Sequence, residues 1–119
     1  MDRYAWLGQP IGADRGRIFY AAIFLRWRQE PVRIGDDIEV AGSPDPQIGR
    51  VEALWEDLAR GEGRLRCRWY FRPHDVPDRI LRGFPFGAPH ERELLLSELR
   101  DDADVRSIMR RAFIARSES

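Results

Sequence analysis

Apolar and charged side chains alternate without a break from Arg64 to Phe71: Leu65, Cys67, Trp69 and Phe71 are apolar, with Arg64, Arg66 and Arg68 between them. Tyr70 is the one amphipathic member of the second set, which Arg72 extends. Successive side chains of a strand point to opposite faces. This period of two therefore predicts a strand with the first set toward a core and the arginines toward solvent. Pro73 has no N–H to give to a ladder, so pairing is expected to stop there, leaving Trp69 and Phe71 where the core opens to solvent.

The same reading finds shorter segments on either side. Residues 1–17 carry Gly8, Pro10, Gly12 and Gly16 among charged residues and are expected to be irregular, with Tyr4, Trp6 and Leu7 packing against the domain that fills residues 18–119. The dense apolar run from Ile18 to Trp27 predicts a strand, and Arg28 to Pro31 a turn. Ile38 and Val40 follow a Gly35-Asp36 turn and share a face of a second strand, which the Gly42 to Pro46 stretch ends. A third strand runs from Ile48 to Trp55, with Val51, Ala53 and Trp55 on one face and Gly49 at a bulge. Glu56 to Gly63 reads as the hairpin loop delivering the Arg64 strand.

Beyond Pro73 the chain changes character. Pro77, Gly83, Pro85, Gly87 and Pro89 make His74 to His90 a long loop, with one helical turn at Asp78 to Leu81, and loops of that length are usually binding elements or disordered. Glu93 to Ser97 predicts a short strand. Asp101, Asp102 and Asp104 ahead of Arg106, Arg110 and Arg111 give the acids-first, bases-last order of a short helix from Val105 to Arg111. Short strands between Gly and Pro turns predict a small, strongly bent sheet or barrel.

Composition narrows the function classes. A chain of 119 residues supports one core, and equal numbers of basic and acidic residues, 20 each, argue against the broad basic surface of a non-specific nucleic-acid binder. All its cationic side chains are arginine, since no lysine occurs. The single Cys67 excludes an intramolecular disulfide and fits a reducing compartment. No apolar run has the length of a membrane span or the form of a signal peptide, so a soluble intracellular chain without membrane contact is expected. His74, His90 and Cys67 match no zinc spacing, and Asp101, Asp102 and Asp104 are accounted for as a helix cap. With no nucleophile elbow, P-loop or acid–base dyad, neither catalysis nor a metal or cofactor is expected.

The fragments VRIGDDIEV, IGRVEALWED, RCRWYFRP, ERELLLSE and VRSIMRRAFI resemble, in order and rough spacing, the BAH (bromo-adjacent homology) domain family. Its signature runs through a V-G-D-x-V strand, a W-[FY]-[FY]-R-P strand, an E-[LIV]-[FY]-L-S strand and a helix ending in Ile, and the resemblance extends from Tyr20 to Ile114. It implies a mostly β fold, a small SH3-like bent barrel with loop insertions and one or two short helices, in a nuclear chromatin protein. In several BAH domains the Trp and the second aromatic after it are two walls of a cage that holds a methylated lysine of a histone tail by cation–π attraction. Here those positions are Trp69 and Phe71, the pair that the alternation already places together. The third wall falls at Gln47, with Tyr20 the other candidate, and the residues that meet the peptide fall at Leu99 and Asp101, joined by His74 at the start of the long loop. The resemblance thus implies a histone-tail reader or, alternatively, an interaction module of a chromatin, silencing or replication complex without methyl-lysine reading, in which Trp69 and Phe71 are core or rim packing. DNA binding through the Arg64, Arg66 and Arg68 face ranks below both, and the oligomeric state is open.

Overall fold

The computed structural model describes residues 3–42, 45–71 and 95–113, and a long antiparallel hairpin lies at its centre. Its arms are β7 (Gln47–Asp57) and β8 (Glu62–Phe71). The turn between them is shorter than the expected Glu56 to Gly63 loop. The Asp57 carboxylate accepts from the N–H groups of Ala59 at 3.0 Å and Arg60 at 3.1 Å, and Gly61 supplies a positive φ of 66°.

β7 carries β8 along one edge and two strands in succession along the other. β6 (Asp37–Val40) lies against its start, and β3 (Arg17–Tyr20) against its end. The change of partner falls where the register with β8 shifts, between Val51 and Ala53. Glu52 is therefore the extra residue of a bulge, and the bend that a bulge produces lets one strand serve two parts of a curved sheet. The sequence places this bulge at Gly49; the structure keeps Gly49 in register with both Ile38 and Trp69. The bulge also breaks the expected Val51, Ala53, Trp55 face. Val51 and Leu54 enter the core, while Trp55 packs against Phe19 with the Arg66 guanidinium 5.9 Å from its ring centre.

β9 (Leu95–Asp104) extends the sheet beyond β8, β10 (Ile108–Ala112) pairs with β6, and β2 (Gly12–Asp14) pairs with β3. A second sheet of β1 (Tyr4–Leu7), β4 (Ala22–Leu25) and β5 (Glu30–Arg33) closes over the core. Ile23, Leu25 and Val32 meet Ile38, Val40, Val51, Leu54, Leu65 and Cys67 from the large sheet, and Val105 and Ile108 plug one end. Side chains from β5 and the turn before it reach β10: Trp27 donates its indole N–H to the Ile108 carbonyl at 3.0 Å, and the Arg111 N–H donates to Glu30 at 3.0 Å. Edge groups that no ladder pairs are thereby satisfied. The result is the expected mostly β, strongly bent, barrel-like small fold.

Several expectations change. The N-terminal segment read as irregular contains β1 and β2, because the ladder of β1 is completed by β4, a partner that no local pattern reveals; Tyr4 and Trp6 pack on the core as expected. The run from Ile18 to Trp27 is two strands in different sheets, parted at Ala21. The helix expected from Val105 to Arg111 is a single 3-10 turn, Val105–Ser107, followed by β10. Of its acids, Asp104 keeps the expected cap role and the others serve elsewhere. Asp102 pairs across the ladder with Arg66 at 2.8 Å, and Asp104 caps the turn by accepting from the Arg106 N–H at 2.8 Å. The strand expected at Glu93 to Ser97 runs instead to Asp104. The His74 to His90 loop, with its turn at Asp78 to Leu81, lies outside the described residues.

Candidate functional site

Trp69 lies two residues beyond buried Cys67 on the core face of β8, directly opposite Gly49 of β7. A Cβ at Gly49 would stand 3.2 Å from Cε3 of Trp69 and 3.1 Å from Cβ of Cys67, so the indole rests on bare backbone. This close approach, not a bulge, is what glycine provides there. The other side of the indole is held by β9: Nε1 of Trp69 donates to Oδ2 of Asp101 at 3.0 Å, and Asp101 stands opposite Cys67. Trp69 is half-buried and packs against the core.

Phe71, next on the same face, is also half-buried. Gln47, the exposed first residue of β7, lies two residues beyond Gly49, where the pairing of β7 with β8 ends, and Phe71 pairs instead with Leu95 of β9. On the β9 side the register slips. β8 advances from Arg68 to Tyr70 while its partners run from Arg100 to Leu96, so Ser97 to Leu99 bulge out beside Trp69. Leu99 is 60% exposed, with its N–H held by the Ser97 hydroxyl at 3.1 Å. Five of the residues nominated from sequence thus gather at one end of the β7–β8–β9 ladder: Trp69, Phe71, Gln47, Leu99 and Asp101.

Tyr20 does not join them. It pairs with Leu54, five positions along β7 from Gly49, which is about 17 Å of strand. There it stacks on Trp6, with ring centres 4.6 Å apart and planes 7° from parallel. His74, and His90 with it, lies outside the described residues.

The polar side of this end is anionic. Among the described residues no arginine lies within ion-pair distance of Asp101, whose carboxylate meets only the indole N–H. Burial pushes the Cys67 thiol up to about 12, and the neighbouring carboxylates of Asp101, Asp102 and Glu52 add to the rise. Half-buried rings beside such a carboxylate suit an organic cation.

On the opposite face the arginines are paired with nearby acids, as expected of a solvated face, and the departure is Tyr70. Tyr70 is buried, because its hydroxyl donates to Asp37 at 2.8 Å and accepts from Arg50 at 3.0 Å. Burial, and then the hydrogen bond to Asp37, raises its pKa above the ordinary tyrosine value. Arg64 pairs with Glu62 at 3.4 Å, Arg66 with both oxygens of Asp102, and Arg68 with Glu98 and the Ser97 carbonyl. Each of these three arginines thus has an acid.

Two features escaped the sequence reading. The role of Gly49 needs the register with β8, which no local signal carries. The second is the cluster at the far end of β7. Tyr4 and Trp6 both donate to Oε2 of Glu56, at 3.3 and 2.9 Å, and Trp6 lies between Tyr4 and Tyr20. Burial and Glu56 raise the Tyr4 pKa. Trp6 and Tyr20 stack face to face with Tyr4 edge-on to Trp6, so this cluster ties β1 to the large sheet and leaves no gap between Trp6 and Tyr20 for a ligand. Among the described residues no group of His, Cys, Asp and Glu could hold a metal ion, and no helix is long and apolar enough to cross a membrane.

No family model matches the chain. It is similar to DNA (cytosine-5)-methyltransferase 1 of Mus musculus, 32% identical over 72 residues or 58% of this chain, and to the same enzyme of Rattus norvegicus, 35% identical over 60 residues or 47% of this chain. The matched stretch spans only 4% of the length of each of these curated relatives.

Proposed function

We propose that this chain is a BAH-like module of a nuclear, chromatin-associated protein, and that it binds a histone tail by seating a methylated lysine against Trp69 and Phe71. The observation that carries this reading is the arrangement at the end of β8. An indole laid on Gly49 and hydrogen-bonded to Asp101 stands beside a second half-buried ring. A methylammonium sheds little hydration on meeting ring faces, and the Asp101 carboxylate adds a charge of the right sign. The similarity to part of an enzyme named for its action on DNA agrees with work at chromatin. The module binds and does not catalyse.

A second reading keeps the BAH-like module and its chromatin partner protein but drops the methyl-lysine. Two points favour it: the residue where the resemblance puts a third aromatic wall, Gln47, is an amide, and Trp69 contributes to core packing. Direct DNA binding through β8 ranks below both, since Arg64, Arg66 and Arg68 each already engage an acid. An array of histone peptides in unmodified and mono-, di- and trimethylated forms separates the readings. Binding that depends on methylation supports the first; binding to a tail regardless of methylation supports the second; no binding to any tail, together with salt-sensitive binding to duplex DNA, supports the third.

A further inference from the structure

Resting on the methyl-lysine reading, we propose that Asp101 is a positioning residue for Trp69, holding the indole in the orientation in which its outer face is offered to a cation. The argument begins with the rotamer freedom of an exposed-edge tryptophan. Trp69 closes one end of the core and is covered only in part, so packing restrains its ring from one side. On that side is Gly49, a surface with no side chain to interlock with the ring. A smooth floor limits tilt but still accepts the ring after a half-turn about the Cβ–Cγ bond, which returns it to the same plane with the N–H reversed, and terminal torsions to an aromatic ring are broad and roughly two-fold. The missing restraint comes from β9, where the Asp101 carboxylate takes the indole N–H at 3.0 Å.

Asp101 is itself well placed to act as a fixed point. It stands in regular register opposite Cys67, between the Asp102–Arg66 pair and the bulge at Ser97 to Leu99. Among the described residues no guanidinium competes for its carboxylate, in contrast to Asp102, Asp104 and Glu98, each engaged by arginine. A hydrogen bond to an ionised acceptor is stronger than a neutral one, so this single contact fixes the ring's orientation. Asp101 acts through Trp69; its charge at the site is a separate effect.

Substitution separates the two. Asp101→Asn keeps an oxygen that accepts from the indole and removes the charge, whereas Asp101→Ala removes both. The indole Nε1–H of Trp69, assigned by its loss in Trp69→Phe, is followed by nitrogen–proton NMR, and Nα-acetyl-trimethyllysine amide serves as the binding probe. Positioning predicts that Asp101→Ala speeds exchange of this N–H at least tenfold and weakens the probe at least fivefold, and that Asp101→Asn restores most of both. An unchanged indole shift and exchange rate in Asp101→Ala overturns the proposal without reference to any ligand. A freed indole with undiminished probe binding also overturns it. Loss of binding in Asp101→Asn equal to that in Asp101→Ala, with the indole still protected, assigns the effect to charge and overturns positioning. If the parent protein itself binds neither the probe nor any methylated tail, the reading beneath the proposal fails, and the proposal with it.

Discussion

Adding one methyl group at Gly49 probes the packing beneath the site. In Gly49→Ala the new Cβ would lie 3.1 Å from Cβ and 3.3 Å from Sγ of Cys67, and 3.2 Å from Cε3 of Trp69. All three approaches are tighter than an ordinary van der Waals contact, and the Cys67 side is fully buried with no room to retreat. Overpacking of this kind costs about 1–3 kcal/mol. Against it stands the gain from replacing glycine within a strand, roughly 0.5–1 kcal/mol. The expected net destabilisation is therefore about 0–2.5 kcal/mol, with the indole as the partner more able to move. A double-mutant cycle with Trp69→Ala resolves the two contributions. Without the indole one of the three tight approaches is gone and the backbone has space to shift away from Cys67, so Gly49→Ala should cost less than in the parent, giving a coupling of about 1 kcal/mol by denaturant titration. Additivity of the two substitutions within about 0.5 kcal/mol would refute the claim that Trp69 lies on Gly49.

The other predictions concern titration and the open side of the site. With its pKa raised from 9.0 to about 12, the Cys67 thiol should resist a thiol reagent at pH 8 until the protein unfolds, and the stability tied to its neutral form should be complete below pH 9.0 and fall as pH rises toward the folded value. The hydrogen bond from Arg106 holds the Asp104 pKa below its ordinary 3.8, so its contribution is present above that pH and is lost as pH falls through the lower folded value. Asp104→Ala should accordingly cost about 1 kcal/mol near neutrality and less in acid, measured as the pH dependence of denaturant midpoints. Gln47→Tyr should tighten trimethyl-lysine peptide binding by one wall, about 0.5–1 kcal/mol, and leave the unmodified peptide unchanged; equal affinity for every methylation state before and after would remove Gln47 from the site.

Local pattern revealed those parts of the structure whose partners are interchangeable. The period of two from Arg64 to Trp69 needs only a core on one side, and Leu65 and Cys67 are buried accordingly. Where the partner is particular, sequence falls short. Asp102 looks like part of a helix cap until Arg66 is seen across the ladder, and Tyr20 looks like a candidate wall until Trp6, from a strand docked through β4, is found against its ring. Trp69, Phe71 and Asp101 were legible as residue types, but the bond between Trp69 and Asp101 joins positions 32 residues apart. The Leu99 bulge depends on a register slip between two strands, which neither strand encodes alone.

The central claim is that Trp69 discriminates methylated from unmodified lysine. Its most direct test is calorimetric titration of parent and Trp69→Ala proteins, both shown to be folded, with one histone-tail peptide in unmodified and trimethylated forms. The account predicts tighter binding of the trimethylated form by the parent, and a loss of about 1–2 kcal/mol, roughly five- to thirty-fold in affinity, for that form alone in Trp69→Ala. Equal affinities for the two peptides in the parent, or a preference that survives intact in folded Trp69→Ala, would contradict it.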